Sequence, residues 1–407
     1  MLIELILALV VGVLIGTITG LLPGIHINLV SAIVLSSLAF LLTIFSPISI
    51  AVFIVSLSVT HTFIDFIPGI FLGAPDESAL SVLPGHKLLL EGKAYEAVFY
   101  TAVGCLVSLP LIVILTPLFI FLLPKLFFYL KFVMFFILLS VSVYMIANNK
   151  NKFLALIVFL LSGFLGISTL FININQPLLP LLSGLFGASS LISSIRKKEK
   201  LPEQSISKPK ISSEDIKSTF FTSLISSPLC SFLPALGSSQ AAIIGTNLQS
   251  EKQENNQEDK QNNKRFLMLL GSVNLLVLSL SFVTLYTTQK SRTGSAVAIQ
   301  EILTNFTFSD LMIITAVILI SSVLAFFLTL SISKIFSKII SRINYTWLSV
   351  IILAFLSVII LIFSGFVGFL LYLVSTLTGL VAIESEARRT NLMGCLMLPS
   401  ILLYLPI

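Results

Sequence analysis

Apolar residues fall into long runs separated by short polar connectors, and run length is the first signal. A spanning helix needs about 20 apolar residues, within a range of about 17–25. Runs of that kind occupy 48–72, 97–122, 126–147, 153–170 and 177–192. After a polar stretch they resume at 266–286, 309–333, 345–363, 365–383 and 392–407. The runs 177–192 and 392–407 hold only 16 residues, which implies little tilt or a locally thinned bilayer. Two further stretches are interrupted. Residues 2–45 are broken by Gly20-Leu21-Leu22-Pro23-Gly24, and 220–248 by Leu233-Pro234-Ala235-Leu236-Gly237. Proline inside a helix removes a hydrogen bond and kinks or ends it. The arms of the second stretch, about 14 residues each, are too short for two crossings, which predicts a re-entrant hairpin. The longer arms of 2–45 allow either a re-entrant hairpin or two full crossings.

Composition agrees with a chain that lives in lipid. Of its 407 residues, 56% are hydrophobic and 10% charged, with a mean hydropathy of +1.07. A soluble domain carries about 25% charged residues, so a soluble enzyme is excluded. The net charge of +6 comes from Lys and Arg in the connectors, where it sets orientation rather than binding nucleic acid. The connector 193–217 holds Arg196, Lys197, Lys198, Lys200, Lys208, Lys210 and Lys217, which places it in the cytoplasm. Lys150 and Lys152, Lys334, Lys338 and Arg342, and Arg388 and Arg389 then fall on the same side of the cytoplasmic membrane. Residues 171–176, free of Lys and Arg, fall outside. The N-terminal run lacks the basic segment and small-residue cleavage site of a removable signal, and reads as part of the mature chain. Cys105, Cys230 and Cys395 have no spacing that suggests a disulfide framework or a zinc site. The polar stretches 193–218 and 251–265 read as mobile, low-complexity segments.

The two interrupted stretches resemble each other. Residues 22–33 align with 233–244 at an offset of 211, and Glu77-Ser78-Ala79-Leu80 with Gly294-Ser295-Ala296-Val297 at an offset of 217. Each half then reads as a hairpin, one span, a polar segment and four spans. The halves are 1–192 and 219–407, joined by the linker 193–218. Five spans are an odd number, so the second copy would sit upside down. The predicted fold is an all-α polytopic membrane protein of two inverted repeats, a construction common among secondary transporters.

Non-helical backbone at membrane depth survives only where protein or a water-filled cavity covers it. The breaks at Pro23-Gly24 and Pro234–Gly237 therefore predict cavity-lining loops. A half-helix beginning after each would aim free N–H groups and a positive dipole end into that cavity. His26 and Asn28 on one side, and Ser238, Ser239 and Gln240 on the other, add hydrogen-bonding groups. Together they suit a small anionic substrate with a carboxylate or phosphate group. Asp65 follows a strongly apolar run, and Asp76 and Glu77 follow a second break at Gly73-Ala74-Pro75. Acids at such depth are candidates to bind a coupling ion, Na⁺ or H⁺. Asp76 and Glu77 read equally well as helix caps. Lys290 and Arg292, in the second polar segment, could meet an anionic ligand or stand as solvated loop charges. His26, His61 and His86 match no metal-binding pattern, and no nucleophile, Walker or dinucleotide signature appears. No metal or cofactor is expected, nor enzyme activity.

Three segments carry a family resemblance: GLLPGIHIN (20–28), HTFIDFIPGIFLGAPDESALSVLPGHKLLLEGKAYEA (61–97) and RRTNLMGCLMLPSILLYL (388–405). On these the chain resembles the TctA family, the large membrane subunit of tripartite tricarboxylate transporters, and looks like its archaeal branch. The resemblance covers nearly the whole chain. It implies a multi-pass secondary transporter with two related halves and a carboxylate-type substrate. For bacterial relatives it implies a small membrane subunit and an extracytoplasmic binding protein. The second-half motif, LPALGSS, departs from the Pro-Gly pair of the first, so only Asn28 and Ser239 carry across as matched side chains. The leading expectation is an ion-coupled transporter of a di- or tricarboxylate working by alternating access. The alternatives are a transporter of a polyprenyl-phosphate carrier and a non-transporting membrane scaffold.

Overall fold

The computed structural model describes residues 2–22, 27–71, 82–147, 149, 151–172, 174–197, 202–207, 209–232, 245, 256–289, 293–340, 344–385 and 387–405. The chain is built from helices, with no strand among the described residues. The first half holds α1 (Leu2–Leu21), α2 (Ile27–Ser36), α3 (Leu38–Leu41), α4 (Pro47–Ile64), α5 (Phe66–Phe71) and α6 (Val82–Leu90). It continues with α7 (Ala94–Ala147), α8 (Lys152–Phe171), α9 (Leu178–Leu182), a π-helical turn (Ser183–Ala188) and α10 (Ser189–Lys197). The second half holds α11 (Ser213–Phe232), α12 (Asn256–Thr288), α13 (Gly294–Ile302), α14 (Phe308–Ile339) and α15 (Tyr345–Glu384). A 3₁₀ turn (Arg389–Met393) and α16 (Gly394–Leu403) complete it.

Helix starts follow from local chemistry. Pro47 occupies the first turn of α4, where its missing N–H costs nothing. The Glu4 carboxylate accepts from the Ser46 N–H at 2.8 Å and from its hydroxyl at 3.0 Å. Thr307 and Asp310 form a reciprocal capping box at α14. Asn151 and Asn344 cap α8 and α15 with their side-chain oxygens.

Eight of the described helices are long and apolar enough to cross a membrane. The predicted runs 97–122 and 126–147 lie in one helix, α7, whose 54 residues contain Pro110, Pro117 and Pro124. At 1.5 Å per residue it is about 80 Å long, more than twice a hydrocarbon core of about 30 Å. The predicted runs 345–363 and 365–383 share α15, interrupted at Gly365. Its φ of 67° and ψ of −171° suit glycine alone, and they divide α15 into arms of 20 and 19 residues. Residues 392–407 fall on the 15-residue Arg389–Leu403 segment, too short to count among the eight. In the first hairpin, α1 alone is 20 residues long, and Glu4 meets Ser46, so the return arm covers the same height.

Small residues set the packing. On α1, Gly12, Gly16 and Gly20 face α4, as small residues do where membrane helices approach closely. A Cβ at Gly12 would fall 1.9 Å from Ser56 Oγ, and one at Gly16 would fall 2.5 Å from the Leu57 carbonyl oxygen. Contact partners climb together, with Gly12 on Phe53 and Ser56, Gly16 on Leu57 and Thr60, and Gly20 on His61 and Ile64. Helices α1 and α4 therefore run parallel. So do α11 and α12, joined by Asp215 on Lys264 and by Thr222 and Leu269 around Gly245. At the offset of 211, Glu4 corresponds to Asp215, Gly12 to Ser223 and Gly16 to Ser227. Each first helix thus repeats an acid and a small-residue stripe.

A second correspondence lies near the ends of the two halves. Gly394 sits on the Phe159 carbonyl and Ser162, and Gly184 on the Tyr372 carbonyl and Ser375. Gly166 sits on the Cys395 carbonyl, and Gly379 on the Leu185 carbonyl. Residues of α8 map onto the second arm of α15 at an offset of 213, and Gly184-Leu185 onto Gly394-Cys395 at 210. Each half's penultimate helix packs on the other half's last. The α15 arm runs parallel to α9–α10, with Ser364 at Gln176, Tyr372 at Gly184 and Glu384 at Arg196.

Helix directions follow from the start of α7. There Lys264, near the start of α12, lies over the Tyr100 ring, and Lys334 of α14 over Tyr95. Phe71, at the end of α5, packs against Phe336 of α14, the ring centroids 5.8 Å apart and the planes tilted by 56°. The opposite end of α4 shares a buried cluster, Ile50 and Ile54, with Ala298 and Ile302. So α4 runs toward the Lys334 end of the bundle, whereas α12 starts there.

The linker departs from the mobile segment predicted for 193–218. The Gln204 side chain accepts from the Ala94 N–H at 3.0 Å and donates to the Leu89 carbonyl at 3.0 Å. The Ser205 N–H donates to the Gly92 carbonyl at 2.8 Å, and the Ser207 hydroxyl to Glu96. The stretch is strapped across the α6–α7 turn because that turn exposes backbone groups a polar chain satisfies. Likewise 256–265, part of the predicted mobile stretch 251–265, is the first part of α12.

Candidate functional site

Most of the sequence-predicted site lies outside the described residues: Pro23, Gly24, His26, Asp76, Glu77, Pro234, Gly237, Ser238 and Ser239, with Lys290 and Arg292. Asn28 falls in the first turn of α2, which begins at Ile27, three residues after Gly24; its side chain is outside the description. Among the described residues, the candidate that remains is Asp65, at the junction of α4 and α5 beside the end of α1.

Asp65 stands at that junction. It closes α4, its N–H donating to the His61 carbonyl at 2.9 Å, while the Gly69 N–H donates to the Asp65 carbonyl at 3.1 Å. Pro68, four residues after Ile64, has no N–H to continue the ladder, so the helix breaks at Asp65. Phe63, Ile64, Phe66 and Ile67 around it are fully buried, yet Asp65 itself keeps partial exposure. His61 Nδ1 lies 3.1 Å from the Thr19 hydroxyl, one turn before the end of α1. Gly20, beside Thr19, touches Ile64 and the His61 carbonyl. The end of α1, where the first break begins, is thus held against the residues that flank Asp65. Buried hydroxyls lie on two faces of α4: Ser56 and Thr60 toward α1, and Ser58, which donates to Ser295 of α13 at 3.0 Å. A half-buried carboxylate at such a junction can hold a proton or a small cation. No group of three or more metal-ligating side chains occurs among the described residues.

The other hairpin is anchored by charge. Asp215 accepts from Lys264 Nζ, from Arg265 Nε at 3.5 Å, and from the Ser212 N–H and hydroxyl at 2.9 and 2.7 Å. Burial alone would raise its carboxyl, but the hydrogen bonds from Lys264 and Ser212 outweigh burial and hold it at about 2. Arg265 also pairs with Glu214 at 3.2 Å. This network fixes the base of α11 on the base of α12, as Glu4 fixes α1 on the start of α4.

Sequence reasoning missed two features. The stripe of Gly12, Gly16 and Gly20 carries a visible signal, small residues spaced by four. Arg389, a connector charge by its sequence, is buried at 9% exposure between α10 and α16. The signal available was a pair of arginines directly ahead of the apolar run 392–407.

Two comparisons with known proteins bear on this geometry. Residues 6–394 match the family model described as "Tripartite tricarboxylate transporter TctA family". The chain is also 32% identical over 414 residues to an uncharacterized protein of the archaeon Methanocaldococcus jannaschii, an alignment spanning 98% of this chain and 99% of that protein. No solved structure matches the chain.

Proposed function

The chain belongs to the tripartite tricarboxylate transporter TctA family, and from that premise we propose that it moves a small organic anion, a di- or tricarboxylate, across the cytoplasmic membrane by ion-coupled alternating access. It is a multi-pass membrane protein of a transporter family. The observation that carries the finer reading is the opposed direction of α4 and α12, the two helices that follow the hairpins. Counterparts that oppose each other while keeping the same neighbours are what an inverted repeat requires. That is the architecture in which two halves rock about a midplane site.

In this reading Pro23, Gly24, His26 and Asn28 of one hairpin and Pro234, Gly237, Ser238 and Ser239 of the other cradle the anion. Asp65, or Asp76 or Glu77 beside the next break, takes the coupling Na⁺ or H⁺. The basic connectors and the linker 193–218 face the cytoplasm. By family analogy, a small membrane subunit and an extracytoplasmic binding protein would deliver substrate. The test is uptake of labelled citrate and succinate into proteoliposomes under a Na⁺ or a pH gradient. Asn28→Ala and Ser239→Ala should each raise the half-saturating substrate concentration at least tenfold. Asp65→Asn should abolish gradient-driven accumulation. Wild-type uptake in all three variants would overturn the site assignment.

A further inference from the structure

We propose that Arg389 is the anchor of a separate anion site, specific for an oxyanion group (carboxylate or phosphate), in the corner between α8, α10 and α16. Arg389 opens the 3₁₀ turn that joins α15 to α16 and is nine-tenths buried. Its Nη2 donates to the Phe186 carbonyl at 2.7 Å and to the Ser190 hydroxyl at 2.5 Å, and Ser190 donates on to the same carbonyl at 2.6 Å. A guanidinium has five N–H donors. Here Nη1 and Nε have no acceptor among the described residues, and the Nε is itself buried. No carboxylate lies within ion-pair distance of Arg389 among the described residues.

A buried cation with unmet donors and no counter-charge is unfavourable in a low-dielectric setting. The surrounding groups are neutral and polar. Asn391, fully buried, donates from Nδ2 to Asn149 Oδ1 at 3.2 Å and to the Arg388 carbonyl at 2.9 Å, while its own Oδ1 is buried without a donor. Asn149 also accepts from the Arg388 N–H at 3.0 Å, and Ser162 donates to the Asn391 carbonyl at 3.2 Å. The carbonyl that Arg389 engages belongs to the π-helical turn Ser183–Ala188, a distortion frequent at functional sites. The packing itself does not call for the charge. At the offset of 210, Arg389 and Asn391 correspond to Leu179 and Leu181, and that corner makes the same glycine contacts with apolar residues. Through the planar fork of the guanidinium, an oxyanion would receive the donors, and supply the counter-charge, that the described residues leave unmet.

Free organic acids and lipid headgroups share this chemistry, so the test has two arms. Full-length protein is placed in nanodiscs of zwitterionic lipid alone or with phosphatidylglycerol, and its thermal unfolding is followed against citrate, succinate and inorganic phosphate at constant ionic strength. A saturable rise in the zwitterionic discs, weakened at least tenfold in affinity by Arg389→Met and by Arg389→Lys, assigns a soluble anion. A rise produced only by phosphatidylglycerol, and lost in both variants, assigns a headgroup. Variants that respond as wild type in both arms, or a wild type that responds in neither, overturn the proposal. Should both variants fail to fold, phenylglyoxal modification of the wild type, mapped by mass spectrometry, decides. Citrate or phosphatidylglycerol should slow modification at Arg389 at least tenfold relative to Arg196, and equal rates with and without them contradict the site. The site is distinct from the hairpins: in an Asn28→Ala background, the part of the response that Arg389→Met removes should persist.

Discussion

Two corners of the molecule share one packing design and differ in chemistry. In one, α16 presents Gly394 and Cys395 to Phe159, Ser162 and Gly166 of α8. In the other, the π-helical turn presents Gly184 and Leu185 to Tyr372, Ser375 and Gly379 of α15. The backbones approach at equivalent points, but the first corner buries Arg389 and Asn391 where the second places Leu179 and Leu181. Close approach is thus a property of the small residues, which both copies keep. Buried polarity is confined to one of the two corners, where the other carries leucines. The hairpin bases show the same division, Glu4 bonding the Ser46 backbone and Asp215 engaging Lys264 and Arg265.

The shared packing is the part easiest to break. A Cβ at Gly166 would fall 1.9 Å from the Cys395 carbonyl oxygen, and one at Gly379 would fall 2.3 Å from that of Leu185. Gly166→Val and Gly379→Val should each cost about 3 kcal/mol or more, because backbone cannot yield as a side chain does. Thermal unfolding in detergent measures both. Tolerance at one site and collapse at the other would break the equivalence of the corners.

Exchanging chemistry between the corners has a smaller effect. Leu181 and Asn391 are both fully buried. Leu181→Asn should cost about 2–3 kcal/mol, since it replaces a fully buried apolar side chain with an amide. Asn391→Leu should cost about 1 kcal/mol, the net worth of an ordinary hydrogen bond. The same unfolding assay checks both, and equal costs would deny the asymmetry.

The hairpin bases should differ least, and the difference should fade in acid. Asp215 titrates at about 2 in the folded protein against a usual 3.8. Its folded value is depressed, so its contribution is complete above about pH 4 and is lost as pH falls toward 2. The difference corresponds to about 2 kcal/mol. Asp215→Asn should lower stability at pH 7 and flatten its pH dependence in that window. Glu4→Gln should change both less. Identical acid profiles for the two variants would erase the contrast.

Much of this was legible before any coordinates. The segments 153–170 and 309–333 lie within α8 and α14, because long apolar runs in lipid leave the backbone no choice but helix. The break expected between 345–363 and 365–383 falls on Gly365, where a positive φ needs glycine. What the sequence hid was tertiary. Nothing in residues 202–207 announces that Gln204 and Ser205 will find the exposed backbone of the α6–α7 turn. Arg389 reads as a connector charge until α10 is seen to cover it. Of the candidate site, Asp65 stands out in the sequence as a single acid after an apolar run, whereas the contact of Thr19 with His61, one turn before it, comes from α1, which only packing brings near.

The most direct test of the inverted arrangement uses Asn175 and Ser385, which correspond at the offset of 210 and follow α8 and α15. Each is replaced by cysteine in a background lacking Cys105, Cys230 and Cys395, and intact cells are treated with a membrane-impermeant maleimide. Two upside-down copies predict labelling of Asn175→Cys from outside and of Ser385→Cys only after the membrane is opened. Labelling of both from the same side would contradict the inverted repeat.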